Sequence, residues 1–548
     1  MMQFRKCAIA ALVTSLTLLV SVFSQSPDTS RRRQEQSKTP AVALHGNADY
    51  ITAAQLKDYL YFIASDEMEG RGTPSRGLDA TARFIATNLS RWGLQPAGDD
   101  GLYFQRIALR RKLVDPAQTY AEFGGQRFTF GNDFIVNVVP GTFNAPVVYV
   151  SHGWVIKSKN IDAYQGIDVK DKIVLLAETG LPPGVTRDQL TGRQGEDWEP
   201  PIPGLRRRGA RAIITIPSFG PLVDWQNRLE SSTIGGVVSV EGSPSGPPVP
   251  VIRPSLRMFQ ALLEGEKQTA AVLFTRASAG DPAPSFALGA NKQLSVTIAF
   301  KSEPAATQNV VAVLEGSDPA LKSEYVAIGA HYDHLGKGTP VNGDAIYNGA
   351  DDDGSGTAAL LAIAEAFARG PRPKRSILFI WHCGEEQNRW GSKYFVAHPT
   401  IPLNQIVANL NLDMIGRTKT SGDATLANQT LVKPGEIYII GSKKMSTELG
   451  EISEAVNQSY LRLTFNYRFD DPKDSSQLFF RSDHFTYAEK GIPIIFYYGG
   501  EHEDYHQPSD SADKIDYQNM EKVARTVHAT AWELANRARR PRVDKPLQ

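Results

Sequence analysis

A mixed, largely parallel α/β sheet flanked by helices is the fold predicted for the C-terminal half of this chain, with a β-rich segment inserted ahead of it. Three observations predict it. From about Gln293 onward, short apolar runs alternate with amphipathic helical stretches, the pattern of an α/β domain. Between about Val114 and Ala290 the texture differs, with apolar runs broken by Gly and Pro at sandwich or barrel spacing. Acidic and histidine residues gather at the ends of the C-terminal apolar runs, where functional groups of such sheets collect.

The 548 residues suggest two or three domains. Arg5 and Lys6 precede an apolar run from Cys7 to Phe23, and Val22-Phe23-Ser24 offers a small-residue cleavage pattern. Residues 1–24 therefore read as the signal peptide of an exported protein, periplasmic or secreted. The run is short for a bilayer span, so no stable membrane insertion is expected after cleavage. Residues 25–48, rich in Ser, Arg, Gln and Pro, read as a disordered leader. Residues 49–113 form an N-terminal helical part. Leu56, Leu60 and Ile63, then Ala82, Ile85, Leu89 and Trp92, recur at helical spacing around the polar turn Asp66–Gly72.

Over 114–290, strands are predicted at Phe134–Val139, Val147–Val150, Lys172–Leu176, Ala212–Ile216 and Val237–Val240, with a loop at Ser243–Pro248. Over 291–540, the predicted strands are Val310–Leu314, Tyr325–Ala330, Ser376–Trp381, Ile406–Leu412, Ile437–Ile440 and Ile492–Tyr498. Helices are predicted over Ser355–Arg369 and Tyr517–Arg537. Lys+Arg and Asp+Glu both total 59, so no charge excess points to nucleic acid as a partner. Cys7 and Cys383 are the only cysteines, and export would remove the first, leaving no internal disulfide.

Five clusters carry the chemistry. In His331-Tyr332-Asp333, positions i and i+2 of an extended chain share a side, so His331 can ligate a metal while Asp333 orients its other ring nitrogen. Asp351-Asp352-Asp353 lies between glycines just before a helix; capping accounts for one aspartate, and three adjacent carboxylates point to a cation as well. Glu385-Glu386 follows a buried strand, where one carboxylate can ligate and the other act as general base. Asp413 ends a further strand, and the stretch Glu501–Asp510 contains His502 and His506. Residue chemistry chooses neither between these histidines nor among the three aspartates. Imidazole with carboxylate suits zinc, with manganese or cobalt as substitutes. A carboxylate bridging two ions about 4 Å apart would activate a shared water for attack on a carbonyl.

These motifs, with Ser482-Asp483-His484, Tyr505-His506 and the Asp66–Gly72 turn, resemble the two-zinc aminopeptidase family in order and separation. That family includes leucyl-type aminopeptidases and aminopeptidase Y and, more distantly, glutamate carboxypeptidase and glutaminyl cyclase. The resemblance implies a zinc-exopeptidase fold acting on peptide substrates. It makes Asp352 the bridging ligand of two zinc ions, one completed by His331 and Asp413 and the other by Glu386 and His506. It makes Glu385 the general base, Asp333 the partner of His331, and Tyr505 the hydroxyl that polarises the scissile carbonyl; His502 and His484 are non-ligating. Val169–Leu175 and Arg207–Ile213 resemble the protease-associated domain that such enzymes carry as an insertion. Gln387–Ser392 departs from the family's Gly-Leu-x-Gly-Ser, so side-chain preference does not transfer. Cys383 reads as a small buried residue. An aminopeptidase is the reading favoured. A carboxypeptidase or glutaminyl cyclase of the same fold is the alternative, and a receptor-like relative without catalysis is disfavoured because every ligand is present.

Overall fold

Strands buried along their whole length set the architecture. The computed structural model describes residues 45–548 except 138, 178–179, 243–248, 472–473, 475, 546 and 548. The expected signal peptide, nearly all of the expected leader and the Ser243–Pro248 loop lie outside the described residues. Ser376–His382 and Ile406–Leu412 are buried at every position, as strands covered on both faces must be. With Tyr325–His331 between them and Ile494–Tyr498 beyond Ile406–Leu412, they form a four-stranded parallel core. Phe300–Leu314 and then Phe104–Val114 extend this core antiparallel on one side, and Glu436–Ile440 extends it on the other. The mixed sheet expected from the sequence is present, but it is parallel at its centre and antiparallel in most of its flanking pairs.

Alternate residues of these strands serve two cores. Val310, Ala312, Val326, Ile328, Ile377 and Phe379 face one hydrophobic cluster, which also holds Leu56, Leu60, Leu360, Ile363, Val523 and Val527 from the helices Ala53–Ile63, Gly356–Arg369 and Tyr517–Asn536. Val311, Val313, Ala327, Leu378 and Ile380 face the other. The first helix is fixed by a capping box between Thr52 and Gln55. Cys383 is a buried free thiol whose pKa burial pushes far up, so it packs and does not react. Among the described residues no helix is long and apolar enough to cross a membrane.

A second sheet is built from the middle of the chain. Its parallel run is Gly141–Val150, Ile173–Leu176, Ala212–Thr215 and Val251–Pro254. Phe134–Val136 closes one end antiparallel, and Gln293–Ile298 continues the other. Helices Pro201–Arg207, Leu256–Leu263 and Ala270–Ser278 are interleaved. The predicted strands are found, but four of them assemble as a mixed α/β layer instead of a sandwich or barrel. Ile173–Leu176 and Ala212–Thr215 are buried at all four positions, and a short apolar run cannot reveal whether a helix or a sheet covers it. The fifth strand, Val237–Val240, departs altogether: it pairs with Leu109–Lys112 at the edge of the first sheet. Its half-exposed pattern suits an edge.

His528 sits deep in the larger core, stacked on Phe367 with ring centroids 4.0 Å apart. Burial lowers its pKa from 6.5 to about 3. The unfolded chain accepts a proton that the folded ring refuses, so stability is intact above pH 6.5 and is lost progressively as pH falls from 6.5 towards 3. His528→Phe, which keeps the stack, should shrink the fall in Tm between about pH 8 and about pH 5, measured in chelator so that metal loss does not contribute. An unchanged fall would show that the ring is not held neutral.

Candidate functional site

Because the four core strands run parallel, their C-terminal ends lie along one edge, and the predicted residues are found there. His331 ends its strand, Glu385 and Glu386 follow Ser376–His382, Asp413 follows Ile406–Leu412, and Tyr505 and His506 follow Ile494–Tyr498. Asp352 belongs to the turn leading into the helix Gly356–Arg369. That turn requires a glycine at 349: its φ is +55°, and a Cβ there would lie 2.2 Å from the Asp352 carbonyl oxygen and 2.4 Å from the His334 ring. Arg71, wholly buried, ties the loops together by donating to the carbonyls of Ile63, Tyr332, Asn348 and Gly349 at 2.7 to 2.9 Å.

The carboxylate of Asp352 is divided between two imidazoles. Its Oδ1 lies 3.2 Å from His331 Nε2, and its Oδ2 lies 3.1 Å from His506 Nε2. Asp413 Oδ1 is 3.6 Å from the same nitrogen of His331, while Glu386 Oε2 is 3.3 Å from that of His506. All five predicted ligands are thus brought together in two groups that share Asp352. Asp353 also neighbours His331 and Asp413. Its oxygens, however, accept the backbone N–H groups of His331, Gly356 and Met414, which suits a residue that shapes the turn. Asp333 lies beside His331 Nδ1, with its backbone oxygen at 3.2 Å and its carboxylate at 3.6 Å, and it accepts the N–H of Glu385.

Glu385, Asp352, Glu386 and Asp413 line a cavity of about 120 Å³ together with Met414, Leu478, Phe496, Tyr498, Arg481, Glu501 and Tyr505. Tyr505 stacks on His506 at 3.9 Å and its hydroxyl is 3.4 Å from Arg481, which in turn pairs with Glu501 at 2.8 Å. His502 turns instead towards Asp351, at 3.2 Å. His484 bonds to the Phe479 carbonyl and stacks on Phe496. Neither joins the two groups around Asp352.

Sequence reasoning missed three members of this site. His334 is buried, with Nδ1 2.8 Å from Glu386 Oε1 and 3.7 Å from Asp352 Oδ2; its signal was the His-x-x-His spacing from His331 at a strand end. Arg481 and Glu501 carried no signal, because their pairing is visible only in the fold.

The electrostatics fit a cation. Burial opposes ionisation of Asp352, yet the adjacent imidazoles of His331 and His506 hold its carboxyl well below the usual range. Burial also opposes charging of His506, but Asp352 and Glu386 outweigh it and raise the pKa to about 10. Glu385 is pushed well above an ordinary glutamate by burial, and Asp483, Asp413 and Glu386 add to this against the opposing pull of His331. His506 Nε2 is buried without a well-formed hydrogen bond, a costly state that coordination would relieve. Imidazoles with carboxylates are a zinc donor set.

Comparisons with known proteins point to a peptidase family. Residues 309–531 match Peptidase family M28. A probable leucine aminopeptidase of Arthroderma benhamiae is 27% identical over 226 residues, covering 40% of this chain and 56% of the relative. Aminopeptidase YwaD of Bacillus subtilis is 26% identical over 250 residues, covering 44% of this chain and 47% of the relative. The chain thus spans about half the length of these curated relatives. Among solved structures, an aminopeptidase from Aneurinibacillus sp. strain AM-1 matches with a TM-score of 0.52 at 17% identity, over 92% of this chain and 99% of that one. A zinc aminopeptidase from Bacillus subtilis matches with a TM-score of 0.50 at 17% identity, over 91% and 98%. These two likenesses concern the fold.

Arg71→Met keeps much of the buried bulk but removes every donor from the four carbonyls. It should destabilise the protein by on the order of 3 kcal/mol, read as a lower urea midpoint. An unshifted midpoint would remove Arg71 from the loop scaffold.

Proposed function

Because residues 309–531 form a peptidase family M28 domain, we propose that this protein is a zinc-dependent exopeptidase, an aminopeptidase that removes N-terminal residues from peptides. The observation that carries the proposal is the divided carboxylate of Asp352, one oxygen towards His331 and the other towards His506, beside a glutamate that takes part in neither group. In this reading His331 and Asp413 would hold one zinc, Glu386 and His506 would hold a second, and Asp352 would serve both. His334 backs Glu386 through Oε1, leaving Oε2 free to ligate. Asp333 steadies His331.

Zinc bound there supplies Lewis acidity, which acidifies water and polarises a carbonyl. Glu385 takes the proton of the attacking water, keeps it, and returns it to the departing amine. Its place on the cavity wall, outside both ligand groups, leaves its carboxylate free to accept that proton. The Tyr505 hydroxyl donates to the developing oxyanion. The surplus of carboxylates around the cavity favours a substrate ammonium, and the Glu501 partner offsets the charge of Arg481. Arg481 is also the one observation in favour of a second reading, a carboxypeptidase that recognises a terminal carboxylate. Export, from the features of residues 1–24, and a protease-associated identity for the second sheet complete the proposal.

Met414, Leu478 and Phe496 give the cavity an apolar wall. The same cavity must also hold the cations beside Asp352, Glu386 and Asp413, and the space left by them should suit an aliphatic side chain of leucine size better than an indole. Leucyl substrates should exceed tryptophanyl ones in kcat/KM by about tenfold or more, and parity would rule out this cavity as the side-chain pocket. Glu385→Gln should keep its zinc while kcat falls about 10²–10⁴-fold, measured by metal analysis and turnover on free and N-blocked peptides. Full activity in that variant would exclude Glu385 as the base. Cleavage of N-blocked peptides alone would favour the carboxypeptidase.

A further inference from the structure

The two halves of the site are held by different means. His331 and Asp413 stand at the ends of core strands, with side chains no more than 11% exposed. His506 lies in the irregular loop after Ile494–Tyr498, with φ +57° and a side chain 34% exposed. A non-glycine residue in the left-handed region needs its surroundings to keep it there, and an imidazole one-third exposed is less confined by packing than one buried at a strand end.

Two buried contacts restrain this loop, four residues before His506 and four residues after it. His502 Nε2 is 3.2 Å from Asp351 Oδ2, an ion-pair distance without well-formed hydrogen-bond geometry, and both side chains are fully buried. Asp510 accepts the N–H of Asp351 at 3.0 and 3.1 Å and the N–H of Asp352 at 3.2 Å, while its own carbonyl accepts the N–H of Ala350 at 3.1 Å. Asp351 is anchored in turn by accepting the N–H of Gly416 at 2.6 Å. Both contacts therefore grip one short segment, 350–352, which includes the bridging carboxylate. The outer rim of the loop is fastened separately, through Asp504 to Arg417 and Lys514.

We propose that His502 and Asp510 are positioning residues that fix His506 against Asp352, so that the Glu386–His506 half of the site is made by the 501–511 loop and can be lost while the His331–Asp413 half persists. This rests on the two-ion reading above. Neither residue touches substrate or metal; each acts by holding the backbone or the side chain beside a ligand. Removing such support weakens metal binding about 10- to 100-fold, and here the loss falls on one ion of the pair.

The test is zinc titration of the full chain against a chromophoric chelator, with apo-protein Tm measured in parallel. His502→Leu and Asp510→Asn should each weaken one zinc about 10- to 100-fold, leave the other within about twofold, and leave the apo Tm near that of the wild type. His502→Gln, which keeps a donor for Asp351, should recover much of the loss. Wild-type affinity for both ions in His502→Leu, or an equal loss of both, would overturn the proposal. Should Asp510→Asn fail to fold, the contrast between the leucine and glutamine variants at 502 decides alone. A wild type that binds fewer than two zinc ions would instead overturn the two-ion reading itself, and this inference with it.

Discussion

The buried guanidinium of Arg71 is the interaction on which the site depends. It forms no salt bridge among the described residues, and its hydrogen bonds all go to backbone carbonyls. Burial pulls its pKa down to about 10, and the nearby charges of Asp333, Asp353, Asp510 and Asp352 work against that pull. Carboxylates crowded in low dielectric repel one another strongly, and a fixed positive charge behind them offsets part of that cost. The same group carries a mechanical constraint: Tyr332 lies beside His331, and Asn348 and Gly349 lead into the Asp352 turn, so one side chain sets the separation of two ligand loops. That side chain comes from the polar turn between the first two helices, far from the ligands in sequence.

The parallel sheet solves the complementary problem of delivery. Strands with alternate residues locked into two cores cannot slide without moving apolar side chains to the wrong face, so their last residues are fixed in space. His331, Glu385, Glu386 and Asp413 inherit that rigidity. His506 does not, and it relies on buried polar contacts that a strand end has no need of. The centre thus combines a stiff part with a part assembled by side-chain chemistry.

Much of this was legible in the sequence, for a physical reason. An acid or imidazole after an apolar strand says little alone, but His331, Glu385-Glu386 and Asp413 fall at the same type of position, and together they point to a cation site. Three aspartates in a row did not reveal which one turns towards the histidines, because that depends on backbone angles within the turn; the family resemblance supplied Asp352 and His506. His334 lies three residues beyond His331, and only the fold brings it against Glu386. The middle segment was misread in assembly though not in content. Its strands are where the apolar runs are, but Pro201–Arg207 has only seven residues, too few for helical periodicity to speak. Val237–Val240 could not be assigned to the other sheet without knowing that Phe104–Val114 would be waiting at its edge.

That pairing has a consequence for the lineage of the insertion. The chain leaves the first sheet at Val114 and returns at Phe300, two residues that are direct antiparallel partners, so a short turn between them could in principle replace everything in the middle. Such an excision would also strip Val237–Val240 from Leu109–Lys112, leaving unpaired N–H and C=O groups along the outermost strand, which invite pairing with another chain. The middle segment thus supplies the outermost strand of the first sheet, and its removal would move the open edge inward to Phe104–Val114.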